Sequence, residues 1–257
     1  MALGIVVCGA GGRMGGAVVR ALQQTNDVTL VAAIDKPRSP RLGRDAGEIC
    51  AAGHLRVVIG DDIAPHLKPN TIIIDFTNPG ASLGYLRAAA KKRVPVVIGT
   101  TGFSPANCEE IKKLSRRTPI LLSANMSLGV NLLASLLGRA AKVLGEDYDV
   151  EIIEAHHRFK KDAPSGTALA LGRSIAQSLN RDLDKVAIHG RKGISGERGK
   201  KDIALLSVRA GDIVGEHTVI FGGIGERIEF IHRAHSRDTF ARGAVRAAQW
   251  LAKQKSG

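Results

Sequence analysis

The chain has 257 residues, 44% of them hydrophobic and 24% charged, enough for a full core in one large or two modest domains and unlike a disordered or fibrous chain. Basic residues outnumber acidic ones 37 to 24, a net charge of +13, but the cations fall in scattered short runs and only six Phe, two Tyr and one Trp are present. No stacking platform follows from that, so anionic small molecules are the expected partners and nucleic acid is not.

Three widely spaced cysteines, Cys8, Cys50 and Cys108, suggest neither a disulfide framework nor a metal centre. The amino terminus runs without a basic leader straight into glycines, which reads as a buried first strand and not a signal peptide. No apolar run approaches the roughly 20 residues of a membrane span. A soluble protein of a reducing compartment, the cytoplasm, is expected.

In chain order, Leu3–Cys8 is a predicted strand, Arg13–Gln24 a helix and Val28–Ile34 a second strand. A loop rich in Pro, Gly and Arg leads to strands at Leu55–Ile59, Thr71–Asp75, Val94–Ile98 and Pro119–Ser123, with helices over Ala81–Arg93 and Pro105–Arg117. Continuous Val/Ile runs alternating with helices are the pattern of βαβ units and of a parallel sheet covered on both faces. Residues 1–126 are therefore expected to form an α/β dinucleotide-binding domain with a Rossmann-type, doubly wound parallel sheet. An apolar helix over Leu128–Leu144 then leads to a strand Tyr148–Ala155, a helix from Ser165, and strands Ala204–Ala210, His217–Phe221 and Arg227–His232 with no long helix between them. That change predicts a second, C-terminal α+β domain with a mixed sheet over 127–236. The last helix, Asp238–Lys253, has apolar positions Phe240, Ala244, Ala247, Ala248 and Leu251, and 237–257 is expected to pack back on the first domain.

The first strand ends in Gly9-Ala10-Gly11-Gly12-Arg13-Met14-Gly15. Met14 stands where a strict G-x-G-x-x-G has glycine, so the fit is G-x-x-G-x-x-G through Gly9, Gly12 and Gly15. Such a loop lets the backbone approach a pyrophosphate at a helix N-terminus, although a tight strand-to-helix turn would look the same. Its place after the first strand favours the nucleotide. So does Asp35, which ends the second strand 20 residues beyond Gly15 and can accept from ribose hydroxyls. Lys36 beside it could attract a 2′-phosphate, which leaves NADH and NADPH both open as cofactors. Gly99-Thr100-Thr101-Gly102 and Ser123-Ala124-Asn125-Met126 lie at carboxyl ends of predicted parallel strands, the ligand-facing edge of an open sheet.

The strand Glu151–Ala155 runs into His156-His157, the cations Arg158, Lys160 and Lys161, and a helix start Asp162-Ala163-Pro164-Ser165-Gly166-Thr167. Proton donors, positive charge and first-turn N–H groups able to hold an oxyanion are thus packed together. Consecutive strand residues point to opposite faces, so one histidine at most is expected to face a given ligand while the strand lasts. A metal is not expected, because His-His lacks the i, i+4 spacing of a zinc helix and no Cys or Glu cluster accompanies it.

The block Glu-Ala-His-His-x-x-Lys-x-Asp-Ala-Pro-Ser-Gly-Thr-Ala closely resembles the signature of the dihydrodipicolinate reductase family (4-hydroxy-tetrahydrodipicolinate reductases) of bacterial lysine and diaminopimelate synthesis. The resemblance continues in residues 9–15, Asp75-Phe76-Thr77, 98–103, 123–127 and 209–218. It implies a homotetramer that reduces a small anionic cyclic imine dicarboxylate with NADPH or NADH. On the matching positions, it implies His156 as general acid/base and Lys160 as a second proton donor. It also implies His157, Ser165, Gly166, Thr167, Thr101 and Arg237 as substrate-binding residues. Cofactor contacts are implied for Gly9, Ala10, Gly11, Gly12, Arg13, Met14, Asp35, Lys36, Gly99, Thr100, Thr101, Ser123, Ala124, Asn125 and Met126. Phe159 occupies a position where a further histidine is familiar in the family, so any role for a third histidine there is lost.

Overall fold

The computed structural model of the chain describes residues 2–255. Two compact units are present, Met1–Ser127 with Arg237–Gly257, and Leu128–Ser236. In the first, six parallel strands, β1 (Leu3–Cys8), β2 (Val28–Ile34), β3 (Ile59–Gly60), β4 (Thr71–Asp75), β5 (Val96–Ile98) and β6 (Ile120–Leu122), lie in the order β3-β2-β1-β4-β5-β6. This is the 3-2-1-4-5-6 order of doubly wound dinucleotide folds, in which the ligand crevice lies at the carboxyl ends of the strands where the order reverses. That point falls between β1 and β4, beside Gly9 and Phe76–Thr77.

The strand period of two assigns the core. Ile5, Val7, Ile72, Ile74 and Val97 turn to one side, under α1 (Arg13–Leu22) and α8 (Asp238–Leu251). Val6, Cys8, Ile73, Val96 and Ile98 turn to the other, under α3 (Pro79–Lys92) and α4 (Pro105–Ser115). Both faces are apolar because both are covered, and this is why these strands read as continuous Val/Ile runs. The buried stripe of α8 is Ala241, Ala244, Val245, Ala248 and Leu251, which corrects the stripe read from sequence: Phe240 and Ala247 sit half-buried on its flanks.

The strand expected over Leu55–Ile59 is a second correction, since only Ile59–Gly60 joins the ladder. The cause is Asp45, the N-cap of the short helix α2 (Ala46–Ile49), whose buried carboxylate accepts from the N–H groups of Gly47, Glu48, Leu55 and Val57. Four backbone donors on one carboxylate wrap this segment around the cap, and Arg56 between two of them takes a left-handed φ of 57°.

In the second unit, β7 (Asp149–His156), β9 (Ile203–Arg209), β10 (Gly215–Gly222), β11 (Arg227–Ala234) and the two-residue β8 (Ala187–Ile188) form a sheet of order β11-β10-β7-β9-β8. It is mixed: β7 pairs parallel with β9 and antiparallel with β10. One face packs under α5 (Leu128–Leu144) and α6 (Gly166–Ser178), with Val150, Ile152, Leu205, Val219 and Phe221 meeting Leu133, Leu137, Leu171 and Ile175. The short helix α7 (Leu183–Val186), capped by the Asp182 side chain, links α6 to β8. Residues 128–147 are, by length and composition, long and apolar enough to cross a membrane, contrary to the sequence reading. Val130, Leu133, Leu137 and Ala141 form a buried stripe along this helix, three of them in the core cluster, so one face of it packs into the core while Leu128, Leu132, Leu136 and Val143 are exposed.

Candidate active site

At the carboxyl edge of the parallel sheet, β1 turns into α1 through a glycine cradle. Gly9 has φ +75°, and its carbonyl accepts from Gly12 N at 2.8 Å. A Cβ on Gly15 would collide with that same carbonyl, and one on Gly11 with the Asp35 carboxylate and the Arg41 side chain. The helix thus starts as close to the strand as glycine permits, with its N-terminal N–H groups at the edge, a geometry that fits a dinucleotide pyrophosphate. Ala10 is fully buried in the core, while Gly12 and Arg13 are exposed. Asp35 directly follows β2; its carboxylate accepts from Lys36 N at 2.8 Å and Ser39 Oγ at 2.8 Å, and Arg41 stands 4.0 Å away. Lys36 is exposed.

Asp75 ties the neighbouring loops together. Fully buried at the end of β4, it accepts from Thr77 Oγ1 at 2.6 Å, from Ser82 Oγ and from Thr100 Oγ1 at 3.2 Å, while Thr100 Oγ1 also accepts from Thr77 N at 2.9 Å. Burial raises its pKa, and the three hydroxyls oppose that rise. The Thr100 side chain is therefore committed inward, whereas Thr101 is exposed at the same turn. A Cβ on Gly99 would collide with the Phe76 ring, so only glycine lets these two loops close together. After β6, Ser123 Oγ donates to Asn125 O at 2.7 Å and Asn125 Oδ1 accepts from Ser127 N at 2.8 Å, with Ala124 exposed at the turn. The Met126 side chain belongs to the core cluster and leaves only its backbone to the edge. Arg237 is exposed at the N-cap of α8.

The second unit carries the histidine pair expected to do acid–base chemistry. His156 ends β7, and its Nδ1 lies 2.6 Å from Oε2 of Glu154, two residues back on the same face. Glu154 is fully buried and fully partnered: Arg209 donates to both oxygens at 2.8 Å, and Ser165 N donates to Oε1 at 3.0 Å. Burial raises the Glu154 carboxyl, but hydrogen bonds from Arg209, His156 and Ser207 outweigh it and hold the pKa at about 2. An ionised acceptor assigns the proton on Nδ1, which leaves Nε2 as the nitrogen that can exchange one. A Cβ on Gly215 would stand 3.1 Å from that Nε2. Burial lowers the His156 pKa and Glu154 raises it, with Lys160 and Arg209 adding to the lowering.

Lys160 Nζ donates to both oxygens of Asp162 at 2.9 Å, and this pairing lowers the Asp162 pKa. Arg209 also donates to Asp162 O at 2.6 Å, so one guanidinium grips both the His156 partner and the loop bearing Lys160. Ser165 caps α6, accepting from Ala168 N at 3.1 Å; Gly166 is exposed with open space where a Cβ would go, and Thr167 is half-buried. His217, buried, lies edge-on to His156 at 5.4 Å with Nε2 3.2 Å from Ser165 Oγ. Burial pushes its pKa down to about 4, so it is neutral. His157 falls in the turn after β7, its ring 6.3 Å from Phe159 and its buried Nδ1 without a hydrogen-bond partner among the described residues.

His156, Lys160 and Ser165–Thr167 are thus held by one network, and three of its members, Glu154, Arg209 and His217, were not singled out from sequence. Glu154 had a signal, since i and i−2 on a strand share a face. Arg209 opens the 209–218 block but had no signal in spacing, because it reaches the site only through β9 pairing His156 with Arg209.

A 3-2-1-4-5-6 sheet with a glycine cradle at its carboxyl edge is the fold of a dinucleotide-binding oxidoreductase. The family profile described as dihydrodipicolinate reductase, N-terminus, matches residues 3–126, and the one described as dihydrodipicolinate reductase, C-terminus, matches 129–257. The 4-hydroxy-tetrahydrodipicolinate reductase of Syntrophus aciditrophicus (strain SB) is 49% identical over 252 residues, 98% of this chain and 94% of that protein. The enzyme of the same name from Citrifermentans bemidjiense is 48% identical over 253 residues, 98% and 95% of the two chains. The fold is shared with a dipicolinate-bound dihydrodipicolinate reductase from Paenisporosarcina sp. TG-14, with a TM-score of 0.76 at 23% identity, covering 100% of this chain and 97% of that one. The chain belongs to the dihydrodipicolinate reductase family.

Proposed function

We propose that this chain is a nicotinamide-nucleotide-dependent reductase that converts 4-hydroxy-tetrahydrodipicolinate to tetrahydrodipicolinate in the cytoplasm, on the route to diaminopimelate and lysine. The observation that carries the reading is the Glu154–His156 pair beside the N-terminus of α6, a proton donor next to an oxyanion site. The binding of dipicolinate by the Paenisporosarcina relative supports a small dicarboxylate as the ligand.

The first unit holds the cofactor. Gly9, Gly11, Gly12 and Gly15 leave room for the pyrophosphate, Asp35 receives the adenosine ribose, and Lys36 attracts a 2′-phosphate where there is one. Thr100, tied to Asp75, sets the turn Gly99–Thr101, and with Ser123–Met126 this turn lines the nicotinamide end. When bound, the cofactor supplies a hydride. Loss of water from the hydroxylated ring leaves a conjugated imine, which accepts the hydride and passes an electron pair to a ring atom that must then gain a proton. His156 Nε2 gives that proton. Two substrate carboxylates beside the ring raise its pKa back toward neutrality, against the lowering by burial. Within the second unit, one carboxylate sits on the Ser165–Thr167 turn and His157 adds a substrate contact. Lys160 exchanges Asp162 for the substrate, where it neutralises charge and can give a second proton.

The assay that tests this uses dihydrodipicolinate synthase to generate the substrate and follows NADPH and NADH oxidation in parallel. Turnover is expected, with Lys36→Ala weakening NADPH relative to NADH. No oxidation of either nucleotide rejects the reading, and equal losses for the two remove the phosphate role of Lys36. The chain also acts as a homotetramer, a reading supported by the uncovered face of its second sheet.

A further inference from the structure

The cation runs at 91–93 and 116–117 serve neither half of this chemistry. They meet in one cavity of about 570 Å³ in the first unit, lined by Lys91, Arg93, Arg116, Arg117, Gln254 and Lys255. The cavity opens at the amino ends of β5 and β6, opposite the edge that carries the glycine cradle. With about 3.3 Å per residue along β4 and β5, the two edges are more than 10 Å apart, so the cavity is no extension of the pyrophosphate site.

Three helices end there: α3 at Lys92, α4 at Ser115 and α8 at Leu251. Cations at helix C-termini are ordinary, because each terminus carries about half a negative charge. Three termini therefore account for about 1.5 charges, against five cations. Nor are the five occupied as helix-end partners usually are. Among the described residues, none of their side chains donates to a carbonyl or pairs with a carboxylate, and no acidic side chain lines the cavity. An excess of several positive charges is left facing one concave space.

We infer that this cavity is a second anion site, separate from the dinucleotide and substrate sites, that binds a small phosphate-rich polyanion. Three guanidinium forks suit phosphate oxygens better than a single carboxylate, and the volume lies within the range of small-ligand sites. No aromatic ring lines it, so the ligand is recognised by its phosphates and not by a stacked base. The site also gives part of the +13 charge a use that the substrate and cofactor do not.

The test is calorimetric titration of inorganic tripolyphosphate into the full-length protein saturated with NADPH, at fixed ionic strength, with citrate as a polyanion lacking phosphate. One tripolyphosphate per chain is expected to bind, more tightly than citrate. Arg116→Glu with Arg117→Glu should weaken it by about tenfold or more while NADPH oxidation by the coupled assay is retained. A triple Arg93→Gln, Arg116→Gln, Arg117→Gln variant gives the same readout if charge reversal disturbs folding. Absence of binding once NADPH is present, equal binding by the folded variants, or equal affinity for citrate overturns the inference.

Discussion

A neutral imidazole has one donor and one acceptor nitrogen, and in His156 the division is made by Glu154. Its carboxylate, held at about 2 by Arg209, His156 and Ser207 against the effect of burial, stays ionised at any pH near neutrality, so Nδ1 carries the proton and Nε2 is the nitrogen left to exchange one. The same charge props up the His156 pKa, which burial lowers. Glu154→Gln keeps the shape and removes the charge, so the His156 pKa falls further. If the protonated imidazole is the reactive form, the alkaline limb of the kcat profile moves to lower pH. The maximum kcat drops by about 10–100-fold, with KM for the nucleotide little changed. An alkaline limb in its wild-type position would show that Glu154 does not act through the histidine. At this scale a candidate was legible in the sequence where the chemistry is intrinsic to a residue's type and neighbours. His156 stands out through its run of proton donors and cations. Arg209 does not, because its meaning comes from a strand pairing 53 positions away in the chain.

The elements were legible wherever a strand is covered on both faces, as with β1, β2 and β4, whose apolar runs and boundaries agree with the sequence reading. They were least legible where a side chain overrides the pattern. Val57-Val58-Ile59 looks like the core of a strand, yet the Asp45 carboxylate takes the N–H groups that a full ladder would need. The same logic of contact over propensity separates two adjacent glycines at the start of α1. A Cβ on Gly15 collides with the Gly9 carbonyl, a backbone atom that cannot turn aside. A Cβ on Gly16 meets nothing nearer than Cys50 Sγ at 3.6 Å, an ordinary packing distance. Gly15→Ala should therefore destabilise the protein by about 1–3 kcal/mol and weaken the nucleotide as the cradle is pushed open. Gly16→Ala should be neutral or stabilising by up to about 1 kcal/mol, through helix propensity alone. Urea unfolding of both variants with a nucleotide titration checks the pair, and equal losses would mean that the close approach at Gly15 is not what the glycine provides.

Across the whole molecule, the two sheets differ in how they are covered. Both faces of the six-stranded sheet lie under helices, but only one face of the five-stranded sheet does. Its other face carries a cross-strand row, Leu206 on β9, Ile153 on β7, Thr218 on β10 and Ile231 on β11, joined by register across four strands. Ile231 is 45% exposed, as is Val208 beside the row, and Ile220 extends the apolar surface without joining the core cluster. This could not be read from sequence: strands with a covered face and an open apolar one look alike in hydrophobicity, and only the layering tells them apart. The row is flanked on the same face by Glu151, Glu216, Glu229 and Arg233, and an apolar patch with a charged rim is a site of association more often than a solvated surface. If the proposed tetramer forms through it, one charge in the row should act on assembly far more than on the fold. Leu206→Asp is expected to convert a tetramer to smaller species in sedimentation velocity at micromolar concentration. The far-ultraviolet circular dichroism should be unchanged, since the helix-covered core on the opposite face of the sheet is untouched. A wild-type chain that sediments as a monomer, or a tetramer that survives the aspartate, would assign assembly to another surface or to none.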